Sequence, residues 1–284
     1  MERYYGVWSV NTKIRLDKGF SQKEIYSGIV TKSYCIEFEK GNHDLSFRLL
    51  AQVLERLLVD VEEFIFLYDY YHSSSQNLWK QYELASNTKD LEKLFEIYQT
   101  TTTSKDKKSQ LLNALTKIGH DQLSDHQIDN ETLEFLVDYL KSIETWILQE
   151  IKIYTNTLNY FSEEQQQIFY KNSLKKIQIY QEYPAGKKIH LTLLLNSCGH
   201  FISYGNFFLA KDALSHLKEL TTGTEDAIFK LYRIYFENIL IYCTEEKSTS
   251  ETMIHFIIET LDKLDYSFLS EQCTLFFQTI KNNY

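Results

Sequence analysis

The sequence predicts an all-α protein in two parts: an N-terminal five-helix domain of helix-turn-helix plan, then a tetratricopeptide-like helical-repeat (α-solenoid) domain. Three observations carry that prediction. Among 284 residues there are only 9 Gly and 1 Pro, too few for the turns of a β-rich chain of this length. Apolar residues recur at steps of three and four rather than two. After residue 76, breaks in this periodicity cut the chain into helix pairs at a spacing of about 40 residues, within the range of solenoid repeats. A composition of 43% hydrophobic and 24% charged residues excludes disordered and fibrous classes. The 21 Tyr and 18 Phe put bulky rings in whatever core forms.

The N-terminal elements follow in order. A first helix fits Val7 to Lys18, with Val7, Val10 and Ile14 on one face, and Gly19 ends it. Ser21 is an N-cap candidate, and Glu24 three residues on completes a capping box for a short helix from Gln22 to Tyr26. Ser27-Gly28 makes a turn. A third helix runs from about Thr31 to Glu39 and stops at Lys40-Gly41. Asn42 to Asp44 form a loop, and Ser46 or Asp44 caps a fourth helix carrying Leu49, Leu50, Val53, Leu54 and Leu57. Asp60 opens a fifth, with Glu62 and Glu63 in its first turn, where they complement the helix dipole. Two short helices joined across a Gly-containing turn is the helix-turn-helix plan. Ile25, Ile29, Ile36, Phe38, Leu50 and Leu54 are the expected core.

Residues 1–66 thus form the expected head, 67–75 a linker ending in Tyr70-Tyr71-His72-Ser73-Ser74-Ser75, and 76–284 the repeat domain. Helix pairs are expected near 88–118, 130–160, 163–203, 206–243 and 250–281. Leu133, Leu136, Val137, Leu140, Ile143, Ile147, Leu148 and Ile151 read as one apolar stripe. Ala210 and Ala213, followed by Leu214, Leu217 and Leu220, have the small-residue pattern of a tetratricopeptide-type helix.

The net charge of −9 argues against nucleic acid at first sight. Residues 1–58, however, hold 9 Lys/Arg against 7 Asp/Glu, whereas the remainder holds 21 against 32. A mildly basic head on an acidic body suffices for DNA, because phosphate attraction acts over about 8–10 Å. No apolar run approaches the length of a membrane span, and the opening Met1-Glu2-Arg3-Tyr4-Tyr5 is too polar for a signal peptide. Cys35, Cys198, Cys243 and Cys273 are scattered without CxxC spacing. A reduced, cytoplasmic, bacterial chain with no membrane partner and no cofactor is expected. No P-loop, GxSxG or GxGxxG occurs, so an enzyme is not expected. His190, His200 and His216 are spaced too widely to share one helical face, and read as ordinary half-buried side chains.

The stretches Gly28-Ile29-Val30-Thr31-Lys32-Ser33-Tyr34, Phe38-Glu39-Lys40-Gly41, Asp44-Leu45-Ser46-Phe47 and Val59-Asp60-Val61-Glu62-Glu63-Phe64 resemble the Cro/C1-type helix-turn-helix of Rgg/GadR/MutR transcriptional regulators. The resemblance spans about 55 residues. It implies that the helix opening near Thr31 lies in the major groove with its N-terminal residues nearest the bases. Those are Thr31, Lys32, Ser33 and Tyr34, where Lys donates to guanine, Thr and Ser reach base or phosphate, and Tyr34 is equally readable as core. Gln22 is placed to hold a phosphate, and Arg15, Lys40 and Arg48 are candidate backbone clamps. The first helix carries only Lys13, Arg15 and Lys18, with Asp17 among them, so DNA affinity is expected to depend on dimerisation.

The same resemblance implies a homodimer that reads double-stranded operator DNA and binds a short signalling peptide in its helical array. Asn carboxamides suit the peptide role, since each can donate to and accept from an extended backbone. By residue type alone the candidates are Asn156, Asn159, Asn196, Arg233, Tyr235 and Asn238. The alternative is an interaction scaffold with a DNA-binding head and no small peptide ligand.

Overall fold

The computed structural model describes residues 6–72, 77–245 and 247–284. Among them all regular structure is helical, and no strand forms. The chain divides into two compact units, Met1–Thr100 and Thr101–Tyr284.

The first unit opens with α1 (Val7–Asp17), α2 (Gln22–Tyr26), α3 (Lys32–Glu39), α4 (Phe47–Leu57) and α5 (Val61–His72). Local chemistry sets these ends. Ser21 closes a full capping box with Glu24, Thr31 accepts from the Tyr34 amide, and Ser46, rather than Asp44, caps α4. Gly28, at φ +78°, takes the left-handed conformation that turns the chain between α2 and α3. Long-range cations then hold the helix ends together. Arg56 donates to the Ile25 and Ser27 carbonyls at 2.9 and 2.6 Å. Lys18 donates to those of Leu57 and Leu58 at 2.8 and 3.0 Å.

Val10, Ile14, Ile25, Tyr26, Cys35, Phe38, Val53, Leu54, Leu57, Val59 and Phe64 form the core of these five helices. Ile29 and Leu50 pack at its edge. Ile36 is only half-buried, because Cys35 and Phe38 are the inward residues of α3.

The structure corrects the start of the linker. α5 runs through to His72, since Leu67, Tyr68 and Tyr71 pack against the core instead of marking its limit. The remaining linker positions, 73–75, lie outside the described residues. α6 (Leu78–Thr88) and most of α7 (Leu91–Thr101) also fall in the first unit. Lys80 on α6 reaches Asp69 on α5 at 3.2 Å.

The second unit comprises α8 (Lys107–Leu123), α9 (Asn130–Ser142), α10 (Leu148–Thr157), a 3-10 turn (Leu158–Tyr160), α11 (Glu163–Leu174), α12 (Ile177–Tyr180), α13 (Pro184–Ser203), α14 (Phe207–Leu220), α15 (Ala227–Thr244), α16 (Lys247–Lys263) and α17 (Ser267–Asn283). From α13 onward each helix packs against the next, and α13 and α15 also pack against the next but one. That nearest-neighbour pattern is solenoid packing. Ala210 and Ala213 are fully buried and let α14 approach α13 closely.

The apolar stripe from Leu133 to Ile151 is broken between Ser142 and Leu148. Trp146, in the break, turns inward at 2% exposure and donates its indole N–H to the Leu140 carbonyl at 3.1 Å. Its ring joins those of Tyr154 and Phe169, with centroids 5.9 and 5.5 Å away. Burying so large a ring outweighs one more helical turn.

Candidate DNA-reading face and effector cleft

In the first unit, the α3 opening presents its leading side chains outward. Thr31, Lys32 and Ser33 are exposed. The Thr31 hydroxyl caps the helix, and Ser33 Oγ lies 3.4 Å from Thr31 Oγ1. Lys32 makes no side-chain ion pair among the described residues. A groove of about 550 Å³ runs between α2 and α3, lined by Gln22, Lys23, Ser27 and Lys32, with Cys35 at its floor. Lys23, in the opening turn of α2, also lines this groove and is not among the residues expected from sequence.

Three expected DNA contacts change character. Arg15 is not a backbone clamp. It is buried and holds Glu39 through two bonds, Nε to Oε1 at 2.6 Å and Nη2 to Oε2 at 2.8 Å. Its Nη1 donates to the Phe20 carbonyl at 2.7 Å. Three of its five N–H donors are thus committed inside the unit, and burial keeps the guanidinium away from the surface that a phosphate would meet. Gln22 donates one amide hydrogen to Glu39 Oε2 at 2.7 Å, so only the other can reach outward. Tyr34 is half-buried: its hydroxyl donates to the Asp44 carbonyl at 2.7 Å and its ring stacks on His43 at 5.0 Å. Lys40 pairs with Glu37 at 3.0 Å but stays exposed, and Arg48 is exposed in the first turn of α4.

Glu39 organises this arrangement. Burial acts to raise its carboxyl, but the hydrogen bonds from Arg15 and Gln22 outweigh burial and hold it below the ordinary carboxylate range. Below it, the Tyr26 hydroxyl donates to Asn11 Oδ1 at 2.7 Å.

In the second unit, a cleft of about 470 Å³ opens between α13, α15 and α17 beside the 3-10 turn. α13 contributes Leu195, Asn196, Gly199, His200 and Ser203; α15 contributes Tyr232, Tyr235 and Phe236; α17 contributes Gln272, Cys273 and Phe276. Gly199 lets the Phe236 ring come within 3.1 Å of where a Cβ would stand. The wall carries no carboxylate, ammonium or guanidinium. It offers the carboxamides of Asn159, Asn196 and Gln272 among aromatic rings. His200 Nε2 is buried without a hydrogen-bond partner, and burial pushes the imidazole pKa below its ordinary value.

Of the six residues expected to meet a peptide, the cleft gathers Asn159, Asn196 and Tyr235. Tyr235 is almost wholly buried, and its hydroxyl donates to the Cys273 carbonyl at 2.6 Å, tying α15 to α17. The other three are not on the cleft wall. Arg233 is paired with Glu237 along its own helix. Asn238 donates back to the Ile234 carbonyl at 2.7 Å. Asn156 is exposed on α10. The missed residues carry a readable signal: His200 and Ser203 follow Asn196 at steps of four and three on α13, and Tyr232 stands three residues before Tyr235 on α15.

Residues 91–275 match the model of a family described as HTH-type transcriptional regulator Rgg, C-terminal domain. The chain belongs to the Rgg family. Its fold is that of solved regulators of this kind. A protein of Listeria monocytogenes EGD-e assigned as a transcriptional regulator is 25% identical, with a TM-score of 0.86 over 99% of both chains. The SHP pheromone receptor Rgg2 of Streptococcus dysgalactiae is 15% identical, with a TM-score of 0.79 over 98% of this chain and all of that one. PrgX in its complex with cCF10 is 20% identical, with a TM-score of 0.73 over 97% of this chain and 92% of that one. The matched stretch takes in α13, α15 and the first half of α17, and this Rgg-family chain is a transcriptional regulator. No helix among the described residues is long and apolar enough to cross a membrane.

Proposed function

We propose that this Rgg-family chain is a cytoplasmic, homodimeric regulator that acts by binding rather than catalysis. Residues 1–66 read double-stranded operator DNA, and residues 76–284 take a short signalling peptide in the cleft between α13, α15 and α17. The observation that carries the DNA half is the exposed α3 opening, where Thr31, Lys32 and Ser33 stand at the N-terminal end of a recognition helix. Two heads related by a two-fold axis would address two half-sites.

The uncharged wall with its three carboxamides supports the peptide half, since such groups pair with backbone amides while the rings hold apolar side chains. The Rgg2 receptor is named for a pheromone, and another solved relative is described as a bacterial peptide pheromone/receptor complex, which favours the same class of ligand here. The peptide acts only through its differential affinity for the two arrangements of the paired heads.

Lys32→Ala is expected to weaken operator binding by about 1–3 kcal/mol and to relax sequence preference. Thr31→Ser keeps the cap and removes the methyl, so a lesser loss is expected at a thymine-facing position. Mobility shifts on the promoter beside the gene measure both, and unchanged binding in both removes these residues from the reader role. For the cleft, an apolar peptide with no charge in its central residues is expected to raise the melting temperature of the wild type. At a hundredfold excess over Kd the stabilisation is about 2.7 kcal/mol. Ser203→Trp, at an exposed wall position, is expected to abolish that shift while leaving the peptide-free melting temperature unchanged. Stable capture of a larger protein with no stabilising peptide in a library screen would favour the scaffold reading.

A further inference from the structure

We propose that the last turn of α8 and the loop after it form a divalent transition-metal site, with His120, Asp121 and His126 as its ligands. One donor atom from each of the three lies within 4.8 Å of the other two. His120 Nδ1 is 3.3 Å from Asp121 Oδ1, and the two imidazole rings are 6.4 Å apart.

The backbone builds this convergence. Ser124 donates its amide to the His120 carbonyl at 3.0 Å, and Asp125 takes the left-handed conformation at φ +54°. That reversal lets the His126 amide donate to the Asp121 carbonyl at 2.8 Å, which returns His126 to the helix end.

The donor set points to the ion. Two imidazole nitrogens and a carboxylate oxygen suit Zn²⁺, Ni²⁺ or Cu²⁺, whereas Mg²⁺ and Ca²⁺ prefer all-oxygen shells. Donors about 2.0–2.2 Å from a tetrahedral zinc stand about 3.4 Å apart. Side-chain rotations of about an ångström therefore close the set, and the exposed His126 has room to make them. The site lies at the negative end of the α8 dipole, which favours a cation. Lys117, one turn earlier, pairs with Asp129. Three protein ligands leave a position for water, so the site is an open one. An ion held there would staple the loop before α9 to the end of α8.

The test titrates the chelator-stripped full chain with Zn²⁺ against a chromophoric competitor, and with Co²⁺ for its visible absorption. One equivalent per chain is expected, weakened at least about tenfold by His126→Ala and by Asp121→Asn. His216→Ala, on α14, is expected to leave the titration unchanged. In the unmodified protein, the imidazole proton resonances of His120 and His126 should shift together as zinc is added. Absence of binding tighter than about 100 µM overturns the assignment, as does a titration that survives His126→Ala or resonance shifts confined to other histidines.

Discussion

Replacing Glu39 with alanine is expected to cost about 3–5 kcal/mol and to lower the melting temperature of the first unit by many degrees. The reason is the company that Glu39 keeps. Its carboxylate meets the Arg15 guanidinium at 2.6 Å in a pair whose side chains are 8% and 9% exposed. Removing the anion leaves a buried guanidinium with only the Phe20 carbonyl as partner, and that unpaired charge is what makes the loss large. It also frees the Gln22 carboxamide, so α1, α2 and α3 lose a common anchor. Thermal denaturation followed by fluorescence of Trp8 would register the change. A loss below about 1 kcal/mol would show that the pair contributes no more than a surface ion pair does.

The same pair sets an acid dependence. The folded state holds the Glu39 carboxyl below its ordinary value. Its contribution is therefore fully present above the unfolded carboxylate pKa of about 4.3 and is lost as pH falls through the lower folded value. Wild type should lose melting temperature more steeply than Glu39→Gln as pH falls below about 4.3.

Phe169→Ala is expected to cost the second unit about 3–5 kcal/mol. Phe169 is fully buried. Its ring sits 5.5 Å from Trp146, 5.8 Å from Tyr154 and 5.2 Å from Phe161 in edge or tilted contacts. Truncation removes the ring that all three share and leaves a void among groups too large to collapse into it. Phe169→Leu keeps most of the volume and is expected to cost much less. Emission from Trp146, the one tryptophan of residues 101–284, reports the melting directly. Equal losses in both variants would mean that the site relaxes freely.

Much of this architecture is legible before any coordinate is seen. Ser21, Glu24, Gly28, Thr31 and Ser46 place the ends of α2, α3 and α4, because caps and turns act over three or four residues. The candidate reading residues follow from the resemblance of these stretches to a Cro/C1-type helix-turn-helix. Arg15 shows where such reasoning stops. A basic residue on an amphipathic first helix looks outward until Glu39, 24 positions later, is found beside it. Trp146 teaches the same lesson for packing: the three-and-four spacing runs straight through it, yet the ring's burial breaks the helix.

The amino-acid order by itself determined the helical class, the helix-turn-helix ends and the exposed turn at Thr31, since propensity, capping and periodicity are short-range. Tertiary structure alone decided that Arg15 pairs inward and that Asn159 and Asn196 share a cleft with Gln272. Each of those depends on which distant segments meet, and that is set by the burial of large rings and charges across helices rather than along them.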